Sequence, residues 1–126
     1  MSVKIFSLLL AMLGTVFVSR AQSTEQKGST PDQRALRQSD AMKTKLGLDT
    51  VQYQKVYDIN LEYARKGQEI MEAGGGKFAK YRKFKSMMSE KDGRLKKVLT
   101  PDQYSSYQEM KKEMMDKAKE AYRDKQ

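Results

Sequence analysis

Leu99-Thr100-Pro101-Asp102-Gln103 ends one helix and starts the next. The leucine precedes a capping residue and can staple onto the new helix. Thr100 supplies a capping hydroxyl, Pro101 suits the first helical position, and Gln103 can reach back to the cap's free N–H. Leu48-Asp49-Thr50-Val51-Gln52 repeats the pattern earlier in the chain, with Asp49 in the capping role. Each stretch predicts a tight turn between two helices.

Outward from these turns, apolar residues recur at helical spacing, and no segment alternates as a half-buried strand would. A first helix is expected from Thr30-Pro31-Asp32-Gln33, with Ala35, Ser39, Met42 and Leu46 inward and Gly47 in the left-handed closing position. The second begins at Asp49, turns Val56, Ile59, Tyr63 and Ile70 inward with Tyr53 alongside, and stops at Ala73. The stop is Gly74-Gly75-Gly76, since each glycine costs about 1 kcal/mol relative to alanine in a helix. The third spans Lys77 to Val98 with Tyr81, Phe84, Met88, Leu95 and Val98 inward. The fourth starts at Thr100, and its stripe is Tyr104, Tyr107, Met110 or Lys111, Met114, Ala118 and then Ala121 or Tyr122. Connections this short make consecutive helices antiparallel neighbours. The expected fold is all-α, four helices in elongated antiparallel hairpins. The narrow stripes leave apolar surface that a second copy or a client could cover.

The paired motifs, with Met42-x-x-x-Leu46-x-Leu48 before the first and Tyr104-x-x-Tyr107 after the second, resemble the Spy/CpxP family of periplasmic proteins. The likeness covers roughly Ala35 to Met115. The second motif fits the family's Leu-Thr-x-x-Gln signature fully, while the first has Asp49 in place of threonine. The resemblance implies a bent, cradle-like subunit that forms a homodimer. It also implies ATP-independent chaperone activity or a part in envelope-stress sensing, and some relatives act in metal response.

The N-terminus reads as a cleavable signal peptide over residues 1–21. Lys4 is the basic start, Ile5 to Val18 is the apolar run, and Ser19-Arg20-Ala21 offers small residues for cleavage before Gln22. The run is shorter than the roughly 20 residues of a spanning helix. No cysteine follows it, so the expected product is periplasmic and not a lipoprotein, without stable membrane insertion. Residues 22–29 are a polar leader, and residues 30–126 form the helical domain. With no cysteine anywhere, stability must come from helix packing.

The charge is unevenly distributed. The chain carries +9, and loss of Lys4 and Arg20 leaves +7. Residues 77–97 hold nine basic and two acidic side chains, so that one segment accounts for the whole excess. Its first half interleaves Lys77, Lys80, Arg82, Lys83 and Lys85 with Phe78, Tyr81, Phe84, Met87 and Met88. This is the candidate client-binding surface, joining long-range attraction to soft apolar contact. The plainer alternative is a solvated helix face.

Catalytic chemistry finds no support. The chain has no histidine and no cysteine, which excludes Ser-His-Asp and Cys-His arrangements. Carboxylate pairs such as Asp58 with Glu62 sit among lysines as a solvated face would. Gly74-Gly75-Gly76-Lys77 lacks the strand and spacing of a phosphate loop. No cofactor and no metal site is expected. The methionines are read as adaptable packing surface, with Cu(I) ligation as the alternative.

The leading expectation is a periplasmic, ATP-independent holdase or refolding chaperone for unfolded envelope proteins. The alternatives are a regulator that binds the periplasmic domain of a sensor kinase, and a metal-response accessory protein. Export argues against nucleic acid as a partner. The motif residues Leu48, Asp49, Gln52, Leu99, Thr100 and Gln103 are assigned to helix starts.

Overall fold

The computed structural model describes residues 28–125. The expected signal peptide, most of the leader and Gln126 lie outside the described residues. Four helices follow in order: α1 (Pro31–Leu46), α2 (Thr50–Glu72), α3 (Lys77–Val98) and α4 (Pro101–Arg123). Among the described residues there is no strand and no helix long and apolar enough to cross a membrane.

Three of the four helix starts are capping boxes. Thr30, Asp49 and Thr100 accept from the backbone N–H of Gln33, Gln52 and Gln103, and each glutamine side chain accepts from the cap's N–H in return. α1 closes on Gly47, whose φ of 66° lies in the left-handed region. There its N–H donates to the Lys43 carbonyl, as does that of Leu48. Leu48 and Leu99 are themselves buried in the common core. Each is therefore worth about 1.5–3 kcal/mol of burial, beyond its local stapling role.

α1 and α2 form the first antiparallel hairpin. Two small buried residues of α1, Ala35 and Ser39, let α2 come close, and Asn60 fills the seam. The Asn60 amide donates to Ser39 Oγ at 2.9 Å, and Ser39 Oγ donates on to the Ala35 carbonyl at 2.7 Å. Tyr53 Oη to Asp40 (2.6 Å) and Arg65 to Asp32 (3.3 Å) pair early residues of one helix with late residues of the other. α3 packs antiparallel on α2, where Glu62 pairs with Arg94 and Lys66 reaches Glu62 (3.1 Å) and Glu90 (3.8 Å). The core runs through Met42, Leu46, Val56, Ile59, Tyr63, Met87, Leu95 and Tyr107.

Two inward stripes differ from expectation. In α3 the buried residues are Met87, Lys91 and Leu95, with Phe84 half turned in. The helix is rotated by about one residue from the Tyr81–Met88 frame, and Tyr81 is 62% exposed. The observed frame needs a lysine in the core, so periodicity of apolar residues favours its neighbour. In α4 the stripe packs only through Tyr104, Tyr107, Met110 and Lys111. Every described residue beyond Lys111 is exposed, including Met114 (60%) and Tyr122 (68%). Tyr107 donates to Asp92 at 2.7 Å and Lys111 also pairs with Asp92. After that contact, among the described residues, only the exposed Lys45–Glu113 pair reaches α4, and the amphipathic pattern runs on unburied.

Candidate functional site

α2 separates two ends of the molecule. At 1.5 Å per residue its 23 residues span about 35 Å. The motif residues Gln52 and Gln103 meet at one end. The basic start of α3 lies at the other, beyond the glycine turn. The expected client-binding residues and the helix-start motifs therefore belong to distant places.

The start of α3 carries an uncompensated positive field. Its cap is Gly76, with no side-chain cap bond, and no acidic residue stands in the first turn. The positive end of the helix dipole thus coincides with Lys77, Lys80, Arg82 and Lys83. Among the described residues, none of Lys77, Lys80, Arg82, Lys83 and Lys85 forms an ion pair. Phe78 is 71% exposed, and Arg82 lies over its ring at 5.3 Å. Lys80 is different from its neighbours, since its ammonium donates to the Met71 carbonyl at the end of α2 (3.0 Å).

The ten expected client-binding residues divide by direction. Lys77, Phe78, Tyr81, Arg82, Lys83 and Lys85 stand on the exposed side. Met87 belongs to the core, and Met88 packs against it. Phe84 and both methionines line a groove of about 590 Å³ between α1 and the α2–α3 hairpin. Gly67 lies in its floor. A Cβ there would meet Phe84 at 3.5 Å and Met87 at 3.6 Å.

Lys91 lies deep in this groove, 4% exposed. Its ammonium donates to Gln38 Oε1 at 3.0 Å. Burial pushes its pKa down to about 8. Asp92 opposes the shift and Lys111 adds to it. Arg34 stands at the groove's rim and donates to the carbonyls of Ser29 and Ala64 and to Gln68 Oε1. Neither Lys91, Arg34 nor Gly67 was singled out by the sequence pattern. The available signal was spacing: Lys91 stands four residues from both Met87 and Leu95.

The family described as a domain of unknown function, DUF4890, matches residues 20–107. The chain belongs to this family. No curated protein and no solved structure matches it. The DUF4890 match takes in both capping motifs, the basic start of α3 and the groove. It ends at Tyr107, the one buried residue of α4. The exposed remainder of α4 therefore lies outside the shared domain, as does its unpartnered stripe.

Proposed function

We propose that this DUF4890 protein is an exported, ATP-independent chaperone of Spy/CpxP type, acting in the periplasm on unfolded envelope proteins. The observation that carries the reading is the start of α3. There unpaired cations and exposed aromatic rings share one surface beside an uncapped helix end. Such a surface attracts acidic, unfolded segments at long range and holds them by soft, non-specific contact. The likeness of the paired motifs adds the periplasmic setting, and a second copy completing the subunit is part of the same proposal.

The test is suppression of aggregation of a chemically denatured acidic client at low salt. The variant is Lys77→Gln/Arg82→Gln/Lys83→Gln/Lys85→Gln, which leaves Lys80 and its bond to α2 intact. The wild type should suppress aggregation near equimolar ratio. Protection should fade toward 1 M salt, where the screening length falls to about 3 Å, and should be weak in the variant. No protection by the wild type sinks the chaperone reading. Selective capture of one sensor-kinase domain, without protection of clients, would assign the regulatory role instead.

A further inference from the structure

We propose that the groove between α1 and the α2–α3 hairpin binds a single-chain carboxylate amphiphile of the fatty-acid class, its acid head held by Lys91 and Arg34. The proposal does not depend on client capture by α3, which uses the opposite, exposed side of that helix.

Three observations carry it. The first is size and lining. At about 590 Å³ the groove falls within the roughly 300–1,000 Å³ of small-ligand clefts. Its walls include Tyr63, Met71, Phe84, Met87 and Met88. Gly67 in the floor carries no side chain, and Phe84 and Met87 pack over it, so the track for an alkyl tail is bounded by apolar groups.

The second is unsatisfied cationic capacity. Lys91 has three donors and is nearly fully buried, yet among the described residues its one acceptor is the neutral amide of Gln38, and Asp92 acts on it only through its field. A charge in apolar surroundings with so little compensation is costly. A carboxylate would supply the charge-assisted bond that is missing. Arg34, on the same groove, likewise donates only to neutral oxygens and has no ion pair among the described residues.

The third is polarity of the site. Among the described residues the one carboxylate lining the groove, Glu72, accepts from Gln68 (2.9 Å) and is exposed. It is one helical turn beyond Gln68, toward the end of α2 and away from Lys91. An acid head is thus drawn inward to Lys91 and repelled from the mouth. A cationic or uncharged head gains nothing there.

The test compares decanoate, decanol and decyltrimethylammonium by calorimetry, with the methionine methyl NMR signals locating the ligand. Decanoate should bind saturably, one per chain, below its micelle-forming concentration. It should bind at least about tenfold tighter than the other two, a ratio that one charge-assisted bond can supply. The methyls of Met71, Met87 and Met88 should shift while those of Met114 and Met115 stay put. Lys91→Met should remove the preference for the acid and spare the weak binding of decanol. Lys91→Gln provides the same check with a polar side chain. Equal binding of all three amphiphiles, no saturable binding of decanoate, or shifts confined to α4 would each overturn the proposal.

Discussion

The side-chain amides of Gln52 and Gln103 hydrogen-bond to each other in both directions, at 2.7 Å and 3.3 Å. Each also donates to a carbonyl that ends a helix: Gln52 to Val98 at 3.2 Å, Gln103 to Leu46 at 3.3 Å. Each further accepts from its own cap N–H. The repeated glutamine thus closes two capping boxes and clasps the α1–α2 turn to the α3–α4 turn. Its recurrence is explained by architecture, without any chemistry of its own.

The clasp predicts non-additive energetics. Gln52→Ala and Gln103→Ala should each cost about 1–2 kcal/mol, because each strands half-buried donors on its partner. The double variant should cost less than the sum, with a coupling of at least about 0.5 kcal/mol. Gln33 is the control, since it serves a capping box at α1 and has no cross-turn partner among the described residues. Gln33→Ala should add independently to Gln103→Ala. Urea unfolding of the five variants measures this, and full additivity of the Gln52–Gln103 pair would show the clasp to be energetically empty.

The sequence makes the helix ends legible because capping is local. Thr30, Gly47, Asp49, the triple glycine and Thr100 mark boundaries within a few residues of themselves. The inward face of α1 is equally legible, since Ala35, Ser39, Met42 and Leu46 are all buried. What escapes is non-local. The pairing of Gln52 with Gln103 depends on two turns meeting. Asn60 and Gly67 face inward at the right spacing but carry no hydrophobic signal. Lys91 reverses the signal altogether, which is why α3 is rotated from the expected frame. The α4 stripe errs the other way: the pattern marks a face capable of burial, and among the described residues nothing buries it beyond Lys111. The candidate site is legible as a segment. Its division into an exposed cationic face and an inner groove depends on that same rotation.

Gly67 offers a second check on packing. A Cβ at this position meets Phe84 and Met87 at ordinary contact distances, and the residue lies inside α2. Gly67→Ala should therefore stabilise the protein by up to about 1 kcal/mol through helix propensity. Gly67→Leu should destabilise it, because the larger side chain displaces Phe84 and Met87 from α2. Thermal unfolding of both variants reads the sign. A destabilised alanine variant would mean that α3 sits closer to α2 than these distances allow.

The exposed end of α4 predicts tolerance. Removing residues 113–126 takes away no buried side chain among the described residues, and of the ion pairs only Lys45–Glu113, which is more than half exposed at both partners. Such a pair contributes about 0–1 kcal/mol. The urea midpoint of the shortened chain should stay within that margin of wild type at low protein concentration. A concentration-dependent loss appearing only in the full-length comparison would locate a contact between copies on Met114, Met115 and Tyr122. A large loss at every concentration would contradict the packing of α4.

Lys91 predicts an unusual rise of stability with alkaline pH. Its folded pKa of about 8 lies below the ordinary lysine value of 10.5, with burial as the main cause. Between these values the unfolded chain binds more protons than the folded one, so stability increases as pH rises through that window. A tenfold change in proton affinity is worth about 1.4 kcal/mol, which bounds the full gain at about 3 kcal/mol. Tyr107 acts in the opposite sense. Its phenol is held above the ordinary value of 10 by burial and by its bond to Asp92, so its contribution is present below pH 10 and lost above it. Asp92 is thus shared by Tyr107, Lys111 and the field at Lys91. The urea midpoint should climb from about pH 8 to a maximum at about pH 10, then fall. Lys91→Met should be more stable than wild type at neutral pH and should lack the climb, while keeping the fall at higher pH. If the wild type shows no rise, or Lys91→Met rises equally, the buried ammonium is not the group in control.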